Sequence, residues 1–105
     1  MAEYSYAMTG RLTAQPGRRS DLASILLRAS NIVGGMSGCK TYIVMEDARD
    51  ESVVWVFEMW ADKESHDASL QDGRVRALIS EALPILAGAP DGSELRVLGG
   101  YGAQV

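Results

Sequence analysis

The sequence predicts an α+β domain: an antiparallel sheet in split βαβ order, with helices on one face. Three observations lead there. A period-two segment runs from Tyr4 to Ala14, an amphipathic helix follows over Leu22–Val33, and a strand apolar on both sides spans Val53–Trp60. The 105 residues suit a single domain, 1–105, with no repeat, low-complexity tract or linker to divide them.

In the first strand Tyr4, Tyr6, Met8 and Leu12 fall on one side, and Ser5, Thr9, Arg11 and Thr13 on the other. Gln15-Pro16-Gly17 stops it. Leu22, Ile25, Leu26, Ala29 and Val33 then recur at helical spacing, which makes one stripe of a helix apolar. Gly34-Gly35 ends that helix, and Gly38 bends the chain into a second strand, Thr41–Glu46. Asp47-Ala48-Arg49-Asp50-Glu51 is short enough for a hairpin loop. In the third strand Glu58 is the sole polar residue among Val53-Val54-Trp55-Val56-Phe57-Glu58-Met59-Trp60. A half-exposed strand alternates, so this one is expected to be covered on both faces. So small a chain has few helices to supply that cover, and a second copy on the other face is the simplest source. A homodimer is therefore expected, in which Asp at Val54 or Trp55 disrupts folding or association.

Asp62 reads as the N-cap of a short helix, Lys63–Leu70, and Asp72-Gly73 interrupts before a longer one. There Val75, Leu78, Ile79, Ala82, Leu83 and Leu86 form an amphipathic stripe, and Pro84, lacking an N–H, bends or ends the helix early. Gly88-Ala89-Pro90-Asp91-Gly92 reads as a loop and Glu94–Leu98 as a short last strand. The tail from Gly99-Gly100 to Val105 is expected to be loose unless a partner holds it.

Composition removes several functions. Ten Lys and Arg against 14 Asp and Glu, a net charge of -4, argue against nucleic-acid binding. Cys39 is the only cysteine and His66 the only histidine, which excludes an internal disulfide, multi-histidine or multi-cysteine metal sites, and any Ser–His–Asp site not centred on His66. No glycine-rich phosphate loop follows a strand. No apolar run approaches the roughly 20 residues that cross a bilayer, and Met1-Ala2-Glu3-Tyr4 lacks a basic segment followed by an apolar one. The expectation is a soluble cytoplasmic protein with no membrane contact and no metal, flavin or haem.

Glu58-Met59-Trp60-Ala61-Asp62-Lys63-Glu64 followed by His66-Asp67-Ala68-Ser69-Leu70 resembles the antibiotic biosynthesis monooxygenase family. Pro16-Gly17-Arg18 resembles its first turn, Gly38-Cys39-Lys40-Thr41-Tyr42 the segment entering its second strand, and Leu78–Leu86 its long helix. The resemblance covers most of the chain. It implies a ferredoxin-like fold that forms a dimeric α/β barrel, with two sheets packed face to face. It also implies one of several reactions, since members oxygenate quinols or polyketides with O2 and neither metal nor flavin, degrade haem, or isomerise small sugars. The haem-degrading branch carries an Asn, a Trp and a His where this chain has Gly10, Ser69 and Ile79, which speaks against haem. The polyketide branch ends its third strand in a Trp, matched by Trp60. It carries a phenol, an Asn and an Arg where this chain has His66, Val56 and Ser80. The quinol-oxidising branch is resembled through Glu58 and Trp60 together, and many of its members carry a His at the position of Ser69.

Ground-state O2 reacts poorly with closed-shell molecules, so cofactor-free oxygenation needs a substrate anion held in a dry, mostly apolar pocket. His66 is the expected acid or base, because its ordinary pKa lies near neutrality. It shares a helix face with Ser69 and with Leu70, which should point at the core. Trp60 is expected either to aim its indole N–H at a substrate oxygen or to bury it against backbone. Glu58 is either a base or the partner of a strand arginine such as Arg11 or Arg96. Tyr42, Val56, Ser69, Leu70 and Ile79 are expected to complete a pocket for a small aromatic or quinone-like substrate and O2. Tyr4, Tyr6 and Tyr42 are either donors to that substrate or packing groups. Arg74 and Arg76 are read as a solvated face, and Cys39 as a small buried side chain. Two other functions fit these residues: a non-catalytic dimeric binding protein for a small apolar ligand, and a cofactor-free isomerase or cyclase using His66 for proton transfer.

Overall fold

The computed structural model describes residues 5–103. Met1–Tyr4, and Gln104 and Val105 of the tail, lie outside the described residues, and with them the expectations placed on Tyr4. The elements in chain order are β1 (Ser5–Thr13), α1 (Arg19–Val33), β2 (Cys39–Glu46), β3 (Val53–Trp60), α2 (Lys63–Ser69), α3 (Gly73–Ala82), a 3-10 turn (Leu83–Ile85) and β4 (Asp91–Val97). The four strands form one antiparallel sheet in the order β2-β3-β1-β4. This is the α+β, ferredoxin-like arrangement, with the helices on one face.

Side chains in the sequence set most of the boundaries. Asp62 accepts the Ser65 N–H at 2.8 Å and opens α2. Asp72 does more than interrupt: it accepts the Arg74 N–H at 2.8 Å and starts α3. Pro84 falls inside the 3-10 turn that ends α3 at Ala82. Two strand starts move by two or more residues from expectation. β2 begins at Cys39, with a register irregularity between Cys39 and Thr41. β4 begins at Asp91 rather than Glu94, because Asp91 and Gly92 pair with Arg11 and Gly10 of β1. A loop-like composition there yields to the ladder hydrogen bonds of a neighbour distant in sequence.

Gly38 fixes how α2 sits on the sheet. Its φ is +87°, and a Cβ there would fall 2.5 Å from Ser65 Oγ and 2.7 Å from Ser65 Cβ. Only glycine allows this backbone to pass so close beneath α2. The Ala61 N–H donates to the Gly38 carbonyl at 2.7 Å, which closes the same corner.

The two sheet faces differ. Tyr6, Leu12, Tyr42, Val44, Val54 and Trp60 pack under the helices, together with buried Leu22, Ile25, Ala29 and Val33 of α1. Alternation sends Ile43, Met45, Trp55, Phe57 and Leu95 to the other face. There Trp55 and Phe57 are half-buried, while Ile43, Met45 and Leu95 are 48%, 43% and 43% exposed. The chain alone therefore covers one face of β3 and leaves the centre of the other half open. On that open face the Trp55 indole donates to Asp47 at 2.8 Å, and the Arg11 guanidinium lies 6.0 Å above the indole ring. The Trp55 donor, joined by the Asp50 and Arg49 backbone N–H groups, holds the Asp47 carboxyl at about 2.

Candidate active site

The hairpin register sets Tyr42 of β2 directly opposite Glu58 of β3, both on the helix side. Above them α1 and α3 leave a cavity of about 400 Å³. Ile25, Leu26, Ala29 and Val33 line it from α1, and Val75, Leu78, Ile79 and Ala82 from α3. Leu12 joins Tyr42 and Glu58 on the sheet side, Ser69 and Leu70 come from the end of α2, and Leu83, Leu86 and Pro90 complete the wall. Glu58 is the one charged side chain among these residues. Leu70, Ile79 and Leu83 remain solvent-exposed and mark the mouth.

A buried cluster stands behind Glu58. Trp60 is fully buried, and its indole N–H donates to Glu58 Oε1 at 3.0 Å. His66 is 7% exposed, with Nε2 3.9 Å from the same oxygen and Nδ1 3.0 Å from Asp67 Oδ1. Asp67 is exposed, and its carboxyl is held below the usual range first by the hydrogen bond from His66. Asp67 can only accept there, so the contact fits a proton on Nδ1, and it turns Nε2 toward Glu58. The His66 ring meets Trp60 edge-on, with centroids 5.9 Å apart, and lies 5.4 Å from Tyr6. Ser69 Oγ donates to the His66 carbonyl at 2.6 Å.

An outer network pins α2 to the sheet. Tyr6 donates to Glu94 at 2.7 Å, and Lys63 stands 3.1 Å from Glu94 and 3.5 Å from Asp67. Burial and the Glu94 bond push the Tyr6 phenol up to about 12, so Tyr6 holds its proton and spends it on Glu94. Burial, then the charge of Glu58, also raises the Tyr42 phenol well above its ordinary value. Burial likewise raises the Cys39 thiol, which disfavours a reactive thiolate.

The structure thus gathers Glu58, Trp60 and His66 into one cluster, and puts Glu58, Tyr42, Ser69, Leu70 and Ile79 on one cavity wall. Trp60 and His66 stand behind Glu58 rather than on the wall, and Val56 is buried in the sheet without reaching it. Three geometric expectations change. The Trp60 donor serves neither open pocket nor backbone but the carboxylate two residues earlier on the same strand face. Arg11 is no partner of Glu58, because it emerges on the opposite sheet face, 3.6 Å from Asp50. Leu70 is 42% exposed rather than core-facing, because it is the C-cap of α2 and Ser69 takes the inward position. Sequence reasoning did not pick out the α1 wall or Asp67. The apolar stripe of α1 was the signal for the first; nothing local distinguishes Asp67 from other surface acids.

Among the described residues no group of three or more His, Cys, Asp or Glu is placed to hold a metal ion, and no helix is long and apolar enough to cross a membrane.

A cavity between helix layer and sheet, in this topology, defines a class that the sequence confirms. The chain belongs to the antibiotic biosynthesis monooxygenase family, whose profile matches residues 5–81, from β1 to the end of α3. Among solved structures, a candidate antibiotic biosynthesis monooxygenase from Chloroflexus aurantiacus is 34% identical, with a TM-score of 0.84 over 93% of this chain and 97% of that one. A candidate of the same description from Caulobacter crescentus is 21% identical, with a TM-score of 0.82 over 89% of each chain. A Nitrosomonas europaea protein of unknown function is 24% identical, with a TM-score of 0.81 over 98% of each chain. The last two show likeness of fold alone. No curated protein matches the chain. Family and relatives support a monooxygenase-like function.

Proposed function

We propose that the protein is a cofactor-independent monooxygenase that oxidises an aromatic, quinol or polyketide-like small molecule with O2, with Glu58 as the proton acceptor. The observation that carries this reading is one carboxylate on the wall of a mostly apolar, otherwise uncharged cavity, backed by a buried indole and imidazole. A carboxylate on that wall faces a bound hydroxyl or activated C–H and is the group there that can accept its proton. The substrate anion then passes one electron to O2, and the radical pair combines to a peroxide. Return of the proton gives a hydroperoxide. Where the attacked carbon was a CH2, loss of water leaves a carbonyl: one oxygen atom enters product and the other leaves as water. Trp60 positions Glu58 by holding Oε1. His66 exchanges the proton that Glu58 has taken with Asp67 and solvent, and the proton that completes the hydroperoxide returns by way of Glu58.

Oxygen uptake against a panel of naphthoquinols and anthrones tests the reaction. Protein-dependent uptake that matches carbonyl formation is the expected result. Product formed without oxygen consumption points instead to an isomerase or cyclase, and binding without turnover to a carrier.

The same proposal includes a homodimer whose sheets meet face to face. Ile43, Met45 and Leu95 would otherwise leave an apolar patch in water around Trp55 and Phe57. Light scattering at micromolar concentration should give twice the 11.3 kDa chain mass. Ile43→Asp, at a position already 48% exposed in the single chain, should fold yet scatter as a monomer. A monomeric wild-type protein overturns the dimer.

A further inference from the structure

We propose that Glu58 and Tyr42 act as one reading pair, and that the cavity selects an uncharged aromatic carrying a hydroxyl and a second oxygen on neighbouring ring positions. The inference rests on the cavity being the ligand site, and not on the oxygen chemistry.

The pair is fixed by the sheet. Tyr42 and Glu58 are register partners on the same face, so their side chains leave the backbone side by side. Both reach the cavity wall. Their hydrogen-bonding characters are opposite. The Glu58 carboxylate serves as acceptor, and its Oε1 already takes the Trp60 donor, which leaves Oε2 for a ligand hydroxyl. Tyr42 holds its proton, because burial and the nearby carboxylate both disfavour the phenolate. Among the described residues no protein acceptor takes that proton, Glu58 included. The wall therefore offers an acceptor and a donor next to each other. A hydroxyl beside a carbonyl, or beside a second hydroxyl, satisfies both at once.

The rest of the cavity excludes other ligands of that size. Among the described residues no lysine, arginine or histidine lines it, so an anionic ligand finds no countercharge there and meets Glu58. Ser69 gives its hydroxyl proton to the His66 carbonyl and has only lone pairs to offer. Leu12, Leu26 and Leu78 give flat apolar contact to a ring system. The volume of about 400 Å³ suits a few fused rings rather than a long chain.

Three ligands of nearly equal size separate these terms: a naphthalenediol with its hydroxyls on adjacent carbons, the isomer with hydroxyls at opposite ends, and the hydroxynaphthoate in which a carboxylate replaces one adjacent hydroxyl. Binding is read by titration calorimetry without oxygen, so that no turnover intervenes. The adjacent diol should bind at least about tenfold more tightly than its isomer, the effect of roughly one net hydrogen bond. The carboxylate should bind more weakly than the adjacent diol. Tyr42→Phe keeps the ring and removes the donor, and should reduce the preference between the diols to within about threefold. Its thermal midpoint, compared with the wild type, shows whether the fold is kept. Equal binding of the two diols, carboxylate binding as tight as the adjacent diol, a preference undiminished in Tyr42→Phe, or no binding of any of the three overturns the proposal. The preference without oxygen uptake from any hydroxyaromatic defeats the oxygenase reading alone. Oxygen uptake with no preference between the isomers defeats this inference alone.

Discussion

Glu58→Gln is expected to lower protein-dependent oxygen uptake by about a hundred- to ten-thousand-fold, the range in which a positioned general base contributes. The amide has the shape of the carboxylate and keeps an oxygen that can accept the Trp60 indole N–H, now 3.0 Å from Oε1. The cavity and its apolar lining should be unaltered. What the variant lacks is a group that can take the substrate proton, and no other side chain on the wall replaces it: Tyr42 is held protonated, and the Ser69 hydroxyl already donates to backbone. Turnover should therefore fall while the thermal midpoint stays close to the wild type. The measurement is oxygen uptake with a responsive quinol, beside a melting curve. Full activity in Glu58→Gln would remove Glu58 as the base and leave oxidation of substrate that ionises in solution as the better account. His66→Gln separates the two members of the cluster. It should slow proton exchange with solvent and so reduce turnover less than Glu58→Gln, since His66 acts through Glu58 from behind the wall.

Trp60→Ala is expected to cost about 3–5 kcal/mol of folding stability, the range for truncating a large aromatic in a core. Trp60 is fully buried and packs with Val33 and Val75, against partly buried Tyr6, Met36, Cys39 and Tyr42. The indole is also the floor on which His66 stands edge-on. Its loss opens a void beneath α2 and removes the donor that holds Glu58 Oε1. Trp60→Phe divides these effects. The ring keeps most of the packing, so the stability loss should be smaller, on the order of 1–3 kcal/mol from the unpaired carboxylate and the missing volume. Turnover should fall further than stability, because Glu58 is no longer held in place. Urea denaturation reads the stability and oxygen uptake the turnover. A loss below about 0.5 kcal/mol in Trp60→Ala, typical of a surface substitution, would contradict the central place given to this side chain.

Much of the fold is legible in local sequence because its signals are local. Asp62 and Asp72 cap helices with their own carboxylates, two or three residues from the N–H groups they accept. Pro84 ends α3 by lacking an N–H. The stripe Leu22, Ile25, Ala29 and Val33 needs only the helical repeat to be read, and the structure buries all four. The apolar run of β3, broken only by Glu58, announces a central strand, and it lies between β2 and β1. The order of these elements was sufficient for the α+β sheet with helices on one face. The motif around Glu58 and Trp60, together with the order and spacing of the first turn, the entry to β2 and the long helix, was sufficient for the family.

What depends on atoms distant in sequence had to wait for the tertiary structure. Asp91 and Gly92 read as loop by composition, yet they pair with Arg11 and Gly10 across the sheet. Arg11 was a plausible partner for Glu58 until register placed it on the other face beside Asp50. Periodicity puts Trp60 and Glu58 on one side of a strand, but a donor length of 3.0 Å between them is a matter of rotamer and burial. Leu70 reads as a core residue until the seven-residue length of α2 makes it a cap at the cavity mouth. The cavity itself has no sequence signature. It arises where α1 and α3, packed on each other, roof the sheet, and side-chain volumes from seven separate elements decide what space remains. Sequence alone determined which residues form the elements and which family they build, since capping, periodicity and motif act over a few residues. The acceptor beside the donor on the wall, and the imidazole behind it, were decided by strand register and helix placement, which only packing across the whole chain can set.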